Sequence, residues 1–397
     1  MVRIKKGKEM ISAMNFKKTT YLLSIMAVFI MTGAVWAGTL PINLLLQVDS
    51  GVSNQYDFAM TSQAAHVVYQ KNDNVYYSYI SAGNLSWTTI NLGKGNWPTI
   101  ASNDNNEVMI AYENGGTIYA LEASSLTPVQ VLSNVTNGKP TLSSPFFASG
   151  WQMSIEGNLD GDPYAEIARV YNFGIGWSTP EILLDGQYSS GSGSYYGQAS
   201  IAAFADRSYA LAFEHQAWWG NAIWSTKYAR VNGPESQSID KYTGWGSSVS
   251  LSRRAVHCIS EDGSAKAVFA FAINNQLYAA INEGSGWSWL FQGYGNGSAP
   301  AVSWGGGTYA DSTGKLHFVS TDEEGQLIDD ILVYEEQDLY GTNPLIWAME
   351  DKFFLFKDGN GNLMFGGCIV PEPGTMASLL TGIVGLIGMS RIRRRSA

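Results

Sequence analysis

The chain has 397 residues, 45% of them hydrophobic and 15% charged, which is enough apolar surface for a large core and excludes a wholly disordered chain. Its 43 glycines, 21 tyrosines, 16 phenylalanines and 13 tryptophans suit many short strands joined by tight turns and argue against a helical bundle. Residues 38–370 carry 14 basic against 32 acidic side chains, and so acidic a body argues against nucleic acid as a partner.

In chain order, Lys17-Lys18 precede an apolar run from Tyr21 to Met31, and Val35 and Ala37 then stand three and one residues before a potential cut. This pattern predicts a secretory signal peptide over 1–37, removed by signal peptidase, with translation starting at either Met1 or Met14. The run is short for a bilayer span, which makes an uncleaved anchor the weaker alternative.

A repeating unit occupies the body, 38–369. Extended runs lead through polar turns into apolar runs that end in an aromatic residue: Pro98–Asp104 into Val108–Tyr112, Ala199–Asp206 into Tyr209–Phe213, Ala255–Asp262 into Ala267–Phe271, and Thr308–Asp311 into Leu316–Ser320. A third strand follows across Asp73-Asn74, Gly115-Gly116 or Asn274-Asn275, residues suited to primed turns. A fourth starts near Trp87, Trp177 or Trp287. Three or four antiparallel strands per unit predict an all-β fold, a β-propeller of six blades starting near residues 56, 98, 140, 198, 249 and 300. The ring has six blades, or seven if the hairpin from Phe353 to Phe365 belongs to another, which the strand from Ile42 to Val48 would then close. Tandem β-sandwiches are the alternative. In general pattern the units resemble sialidase-like propellers, although their Asp box survives only in part, as Ser102-x-Asp104, Ser260-x-Asp262 and Ser320-x-Asp322.

Cys258 and Cys368 are the only cysteines, and outside the cytoplasm they either pair or remain as thiols. His66 and His317 read as equivalent positions of a second strand, a structural repeat and no metal pair. Asn158, Asp160, Asp162 and Glu166 place oxygen donors at positions 1, 3, 5 and 9 of one loop, a spacing suited to calcium. The loop resembles the calcium loops of integrin-type repeats, with Pro163 where those have glycine. Glu113 and Glu214 each follow the aromatic end of a second strand and are the candidate catalytic pair, paired carboxylates being what a glycosidase needs. The arginines that a sialidase uses for a substrate carboxylate have no match to a motif among Arg169, Arg207, Arg230, Arg253 and Arg254. Trp218 and Trp219, in an expected loop from His215 to Trp224, are the candidate ligand-binding aromatics.

The C-terminus reads Pro371-Glu372-Pro373, an apolar segment from Met376 to Met389, then Arg391, Arg393, Arg394 and Arg395. In this order the last 28 residues, 370–397, resemble the PEP-CTERM sorting signal. The arginines hold the end of a membrane segment on the cytoplasmic side, so the body lies outside. The resemblance implies a Gram-negative host, an exosortase that cuts near Pro371–Pro373, a transient inner-membrane anchor and delivery to the cell surface or extracellular matrix. The expected function is binding or structural, toward carbohydrate or protein; a secreted glycoside hydrolase or lyase is the alternative.

Overall fold

The computed structural model describes residues 36–368 except 146–148, 163, 190–191, 205–207, 220–221, 232–237, 244–248, 262–263, 283–286, 304–305, 322–326 and 349–350. The signal segment 1–35 and the sorting residues Pro371, Glu372, Pro373 and Arg391 to Arg395 lie outside the described residues. Among the described residues no helix is long and apolar enough to cross a membrane.

The described strands pair into seven separate sheets. Blades 1 to 7 begin with Tyr56–Met60, Asn96–Ser102, Thr136–Ser143, Ser192–Ala203, Val256–Glu261, Gly297–Ser303 and Thr342–Ala348. Each first strand lies against its neighbours around a common axis. Blade 7 meets blade 1 at Tyr56, whose hydroxyl donates to the carbonyls of Thr342 and Asn343, both at 2.9 Å. A closed ring of small antiparallel sheets is a β-propeller, and tandem sandwiches would not give one ring of seven central strands.

Closure comes from the N-terminal side of the body. Leu44–Ser50 is the outermost strand of blade 7, antiparallel to Asn362–Cys368, so the last blade is completed by residues from both ends of the ring. Trp36–Pro41 adds a parallel strand outside Leu327–Tyr334 of blade 6. Covered edges leave fewer unpaired backbone groups to recruit another chain.

Local chemistry explains the hairpins. Gly115 and Gly116 (φ 60° and 80°) and Asn274 and Asn275 (φ 50° and 65°) are paired left-handed residues, the conformation a primed turn requires. In blade 1 the left-handed pair is Asn72-Asp73, one residue earlier than the sequence suggests, because Asn74 already opens the strand Asn74–Ser81. Between blades the packing is aromatic: Phe58, Phe269, Phe271, Phe318, Phe354 and Phe365 are fully buried. Each contributes roughly 1.5–3 kcal/mol through burial.

Two expectations about position are corrected. The described residues between His215 and Trp224 are strand: Trp218 and Trp219 end the strand Tyr209–Trp219 and pair in register with Ile223 and Ala222 of Ala222–Val231. Its aromatic and alanine-rich run continues the strand through Trp219. His66 lies in the second strand of blade 1, whereas His317 lies in the third strand of blade 6, Leu316–Thr321, because blade 6 starts with Gly297–Ser303 and its second strand is Gly306–Asp311. The two histidines are therefore not equivalent.

Candidate functional site

All seven first strands contribute to one cavity of about 430 Å³ on the axis. It lies at the C-terminal ends of these strands, with the turns carrying Thr61, Ser62, Asn103, Asp104, Asn106 and Ser144 at its edge. The equivalent residue of each first strand lines it: Ala59, Ala101, Ser143, Ala202, His257, Ser303 and Trp347. Five are small, and small side chains leave the axis open. The two large ones, His257 and Trp347, stand on blades 5 and 7 with Ser303 between them.

Hydroxyls on the first strands tie the ring together. Thr99 Oγ1 donates to Asp57 Oδ2 at 2.9 Å and accepts from the amide of Leu142 at 3.1 Å, joining blades 1, 2 and 3. Thr141 Oγ1 donates to the carbonyl of Ala199, and Ser200 Oγ to that of Arg253. Ser143 and Ser303 accept amide hydrogens from Ala203 and Ala348 at 3.0 and 2.9 Å. Pairing these buried groups removes the desolvation cost they would otherwise carry.

Two arginines cross the axis. Arg254 of blade 5 donates from Nε to Asp57 Oδ1 of blade 1 at 2.8 Å and from Nη2 to the carbonyl of Phe58. Arg253 donates to the carbonyl of Pro98, and its guanidinium carbon lies 5.2 Å from the centre of the Trp97 ring. Lys139 Nζ is also 5.2 Å from that ring centre. Trp97 takes a left-handed backbone, φ 53°, at the bulge that opens its strand; bulges re-aim side chains in this way. Burial, with the charge of Arg254, lowers the pKa of His257 to about 4, so its ring is neutral near pH 7 and offers one donor and one acceptor.

Neither Glu113 nor Glu214 lines this cavity. Glu113 faces Asn96 in register, accepts from Asn96 Nδ2 at 3.1 Å and from the amide of Gly116 at 2.7 Å, and so anchors a turn and a strand start. Glu214 occupies the same place in blade 4, opposite Gly197, and is buried. Glu156 of blade 3 is their third equivalent, opposite Lys139, with which it forms a 2.5 Å ion pair. The sequence pattern missed Glu156 because Ile155, not an aromatic residue, precedes it. Trp347 was missed because the first strand of blade 7 precedes the hairpin by which that blade was recognised; aligning the first strands exposes it. Asp57 and Arg254 carry no local motif.

In the predicted calcium loop, Asn158 Oδ1 accepts the amide of Gly161 at 2.9 Å and Asp162 Oδ1 that of Tyr164 at 2.7 Å. Pro163 lies outside the described residues. Asp160 and Glu166 do come together, and the third carboxylate beside them is Asp185. Cys258 in blade 5 is buried and its Sγ donates to the carbonyl of Ala202 at 3.3 Å, while Cys368 lies in blade 7, and no disulfide joins the two.

No protein-family model and no curated protein matches the sequence. Among solved structures, the chain is similar to the six-bladed fucose-recognising lectin of the fungus Aleuria aurantia, at 10% identity and a TM-score of 0.44 over 81% of this chain and 95% of the lectin. It is similar to the α-L-arabinanase of Penicillium chrysogenum at 9% identity and a TM-score of 0.44, over 82% and 97% of the two chains. For the Trypanosoma rangeli sialidase the values are 10% and 0.42, over 83% and 57%. The propeller assignment for this chain rests on its own seven sheets and their closure.

Proposed function

We propose that this chain is an exported surface or matrix propeller that binds a carbohydrate without cleaving it. The observation that carries the reading is the axial cavity, where a half-buried tryptophan, Trp347, shares a wall with neutral His257 and with hydroxyl and amide side chains. A flat indole face buries the C–H surface of a sugar, while Ser, Thr, Asn and neutral His satisfy its hydroxyls. Trp218 and Trp219, on the extended hairpin of blade 4, are proposed as a second aromatic contact.

Export rests on the residues at the two ends of the chain. The signal peptide, 1–37, delivers the chain to signal peptidase, and exosortase then releases it from a transient inner-membrane anchor to an extracellular polysaccharide or surface protein. The body's acidity disfavours polyanionic ligands and suits a neutral glycan.

The test is a glycan panel assayed with purified body for both retention and product. Retention without product supports binding. Product release that Glu113→Gln or Glu214→Gln abolishes, with the fold preserved, replaces this reading with the hydrolase.

A further inference from the structure

We infer that Asp160, Glu166 and Asp185 form a divalent-cation site, suited to calcium, that fastens the rim of blade 3 to the chain entering blade 4. The three residues come from different segments. Asp160 sits in the turn after Trp151–Asn158, Glu166 opens the strand Glu166–Asn172, and Asp185 follows Glu181–Leu184 on the way to Gln187–Ser189. One carboxylate oxygen from each lies within 4.8 Å of the others. Oxygens held at 2.3–2.6 Å on opposite sides of one calcium ion would stand about 5 Å apart, so a single ion reaches all three.

The independent observation is Glu166. The residue is 1% exposed, its Oε2 accepts the amide of Leu159 at 2.7 Å, and its Oε1 is buried with no hydrogen-bond partner. A buried carboxylate oxygen without a partner is costly, and nearby like charges add to that cost. Burial, opposed by the Leu159 amide and reinforced by Asp160, Asp162 and Asp185, raises the pKa of Glu166 to about 7. A hard cation supplies what this oxygen lacks, and backbone carbonyls and water complete its shell.

This donor set differs from the one that loop spacing suggests. Asn158, Asp160 and Asp162 each accept an amide of the loop itself through Oδ1, at 2.9, 3.0 and 2.7 Å, which shapes the turn, and of the two aspartates it is Asp160 whose carboxylate gathers with those of Glu166 and Asp185. Asp185, which sequence spacing cannot reach, is brought in by the close approach of its segment to the loop. At Gly186 an added Cβ would lie 2.8 Å from the carbonyl of Ala165, so only glycine permits this approach.

Calorimetric titration of the purified body with calcium chloride, paired with thermal melts in chelator and in millimolar calcium, tests the site. One binding event and a higher melting temperature in calcium are expected, since an ion that binds only the folded state stabilises it. Asp185→Asn should weaken binding at least about tenfold, while Asn158→Ala should change it less than about twofold. Glu166→Gln relieves the buried charge, so it should keep the chelator-treated protein at least as stable as wild type and abolish the calcium response; it decides the matter if Asp185→Asn fails to fold. The inference is overturned by wild-type protein showing neither heat nor melting shift, by wild-type affinity in Asp185→Asn, or by a full calcium response in Glu166→Gln.

Discussion

Arg254 and Asp57, 197 residues apart in sequence, meet across the propeller axis at 2.8 Å and join blade 5 to blade 1, which are not neighbours in the ring. Asp57 also accepts from Phe58 N, Ile100 N and Thr99 Oγ1 at 2.9, 3.0 and 2.9 Å, so its carboxylate is saturated. The pair is a strut across the centre.

Removing Arg254 leaves the Asp57 carboxylate charged and buried, whereas removing Asp57 leaves a guanidinium that is partly exposed. Arg254→Ala should therefore destabilise the protein by about 3–5 kcal/mol, Asp57→Ala by less, and replacing both members with apolar residues of similar size should cost less than Arg254→Ala. Denaturant melts of the two single variants and the double variant measure this. An additive double variant would refute the strut.

Trp347 is the one tryptophan among the seven equivalent cavity-lining positions. Trp347→Ala should weaken retention on a bound glycan roughly tenfold, equivalent to about 1.4 kcal/mol, and Trp347→Phe should recover part of the loss. Unchanged affinity in a folded Trp347→Ala protein would move the binding site elsewhere, with Trp218 and Trp219 the next to be substituted.

Histidine burial sets a pH dependence. His66, half-buried with Nδ1 2.7 Å from Tyr77 Oη, has its pKa lowered by burial to about 4, as does His257. A lowered base leaves the unfolded chain binding more protons below about pH 6.5, so stability present above that value declines as pH falls toward 4. His317 has the opposite sign. Burial lowers its pKa, but the hydrogen bond and charge of Asp329, 2.9 Å away, together with Asp311, raise it on balance, so its contribution is complete below 6.5 and fades as pH rises through the folded value. The melting-temperature difference between wild type and His66→Gln, followed from pH 8 to 4, should shift in favour of the variant below about 6.5. A difference independent of pH would contradict the assignment.

The two ends of the chain make a further prediction. Mass spectrometry of surface or medium protein should find no peptide beyond about Pro373 and none before Gly38. The Arg391–Arg395 tail persisting on exported protein would remove the sorting proposal.

Much of the fold was legible because strands and turns are encoded locally. Gly115-Gly116 and Asn274-Asn275 declare their turns by the left-handed backbone they tolerate, and the aromatic ends of the second strands mark the repeat. Even closure was readable, since an unclaimed strand near residue 44 had only an unfinished last blade to join. Ring size was less so: the first strand of blade 7, Thr342–Ala348, lacks the pattern of its equivalents, and only its contacts with blades 6 and 1 identify it. The sites depended on tertiary structure for a different reason. Asp57 and Arg254 come from opposite sides of the ring, and closing it places them at charge-pairing distance, whereas Asp185 reaches Glu166 through the local packing of the segment that leaves blade 3. Sequence alone determined that Glu113 and Glu214 are repeat equivalents. Only the packed ring decided that Glu113 holds a turn while His257 and Trp347 line the cavity, because the direction a side chain takes depends on strand register and on the blade beside it.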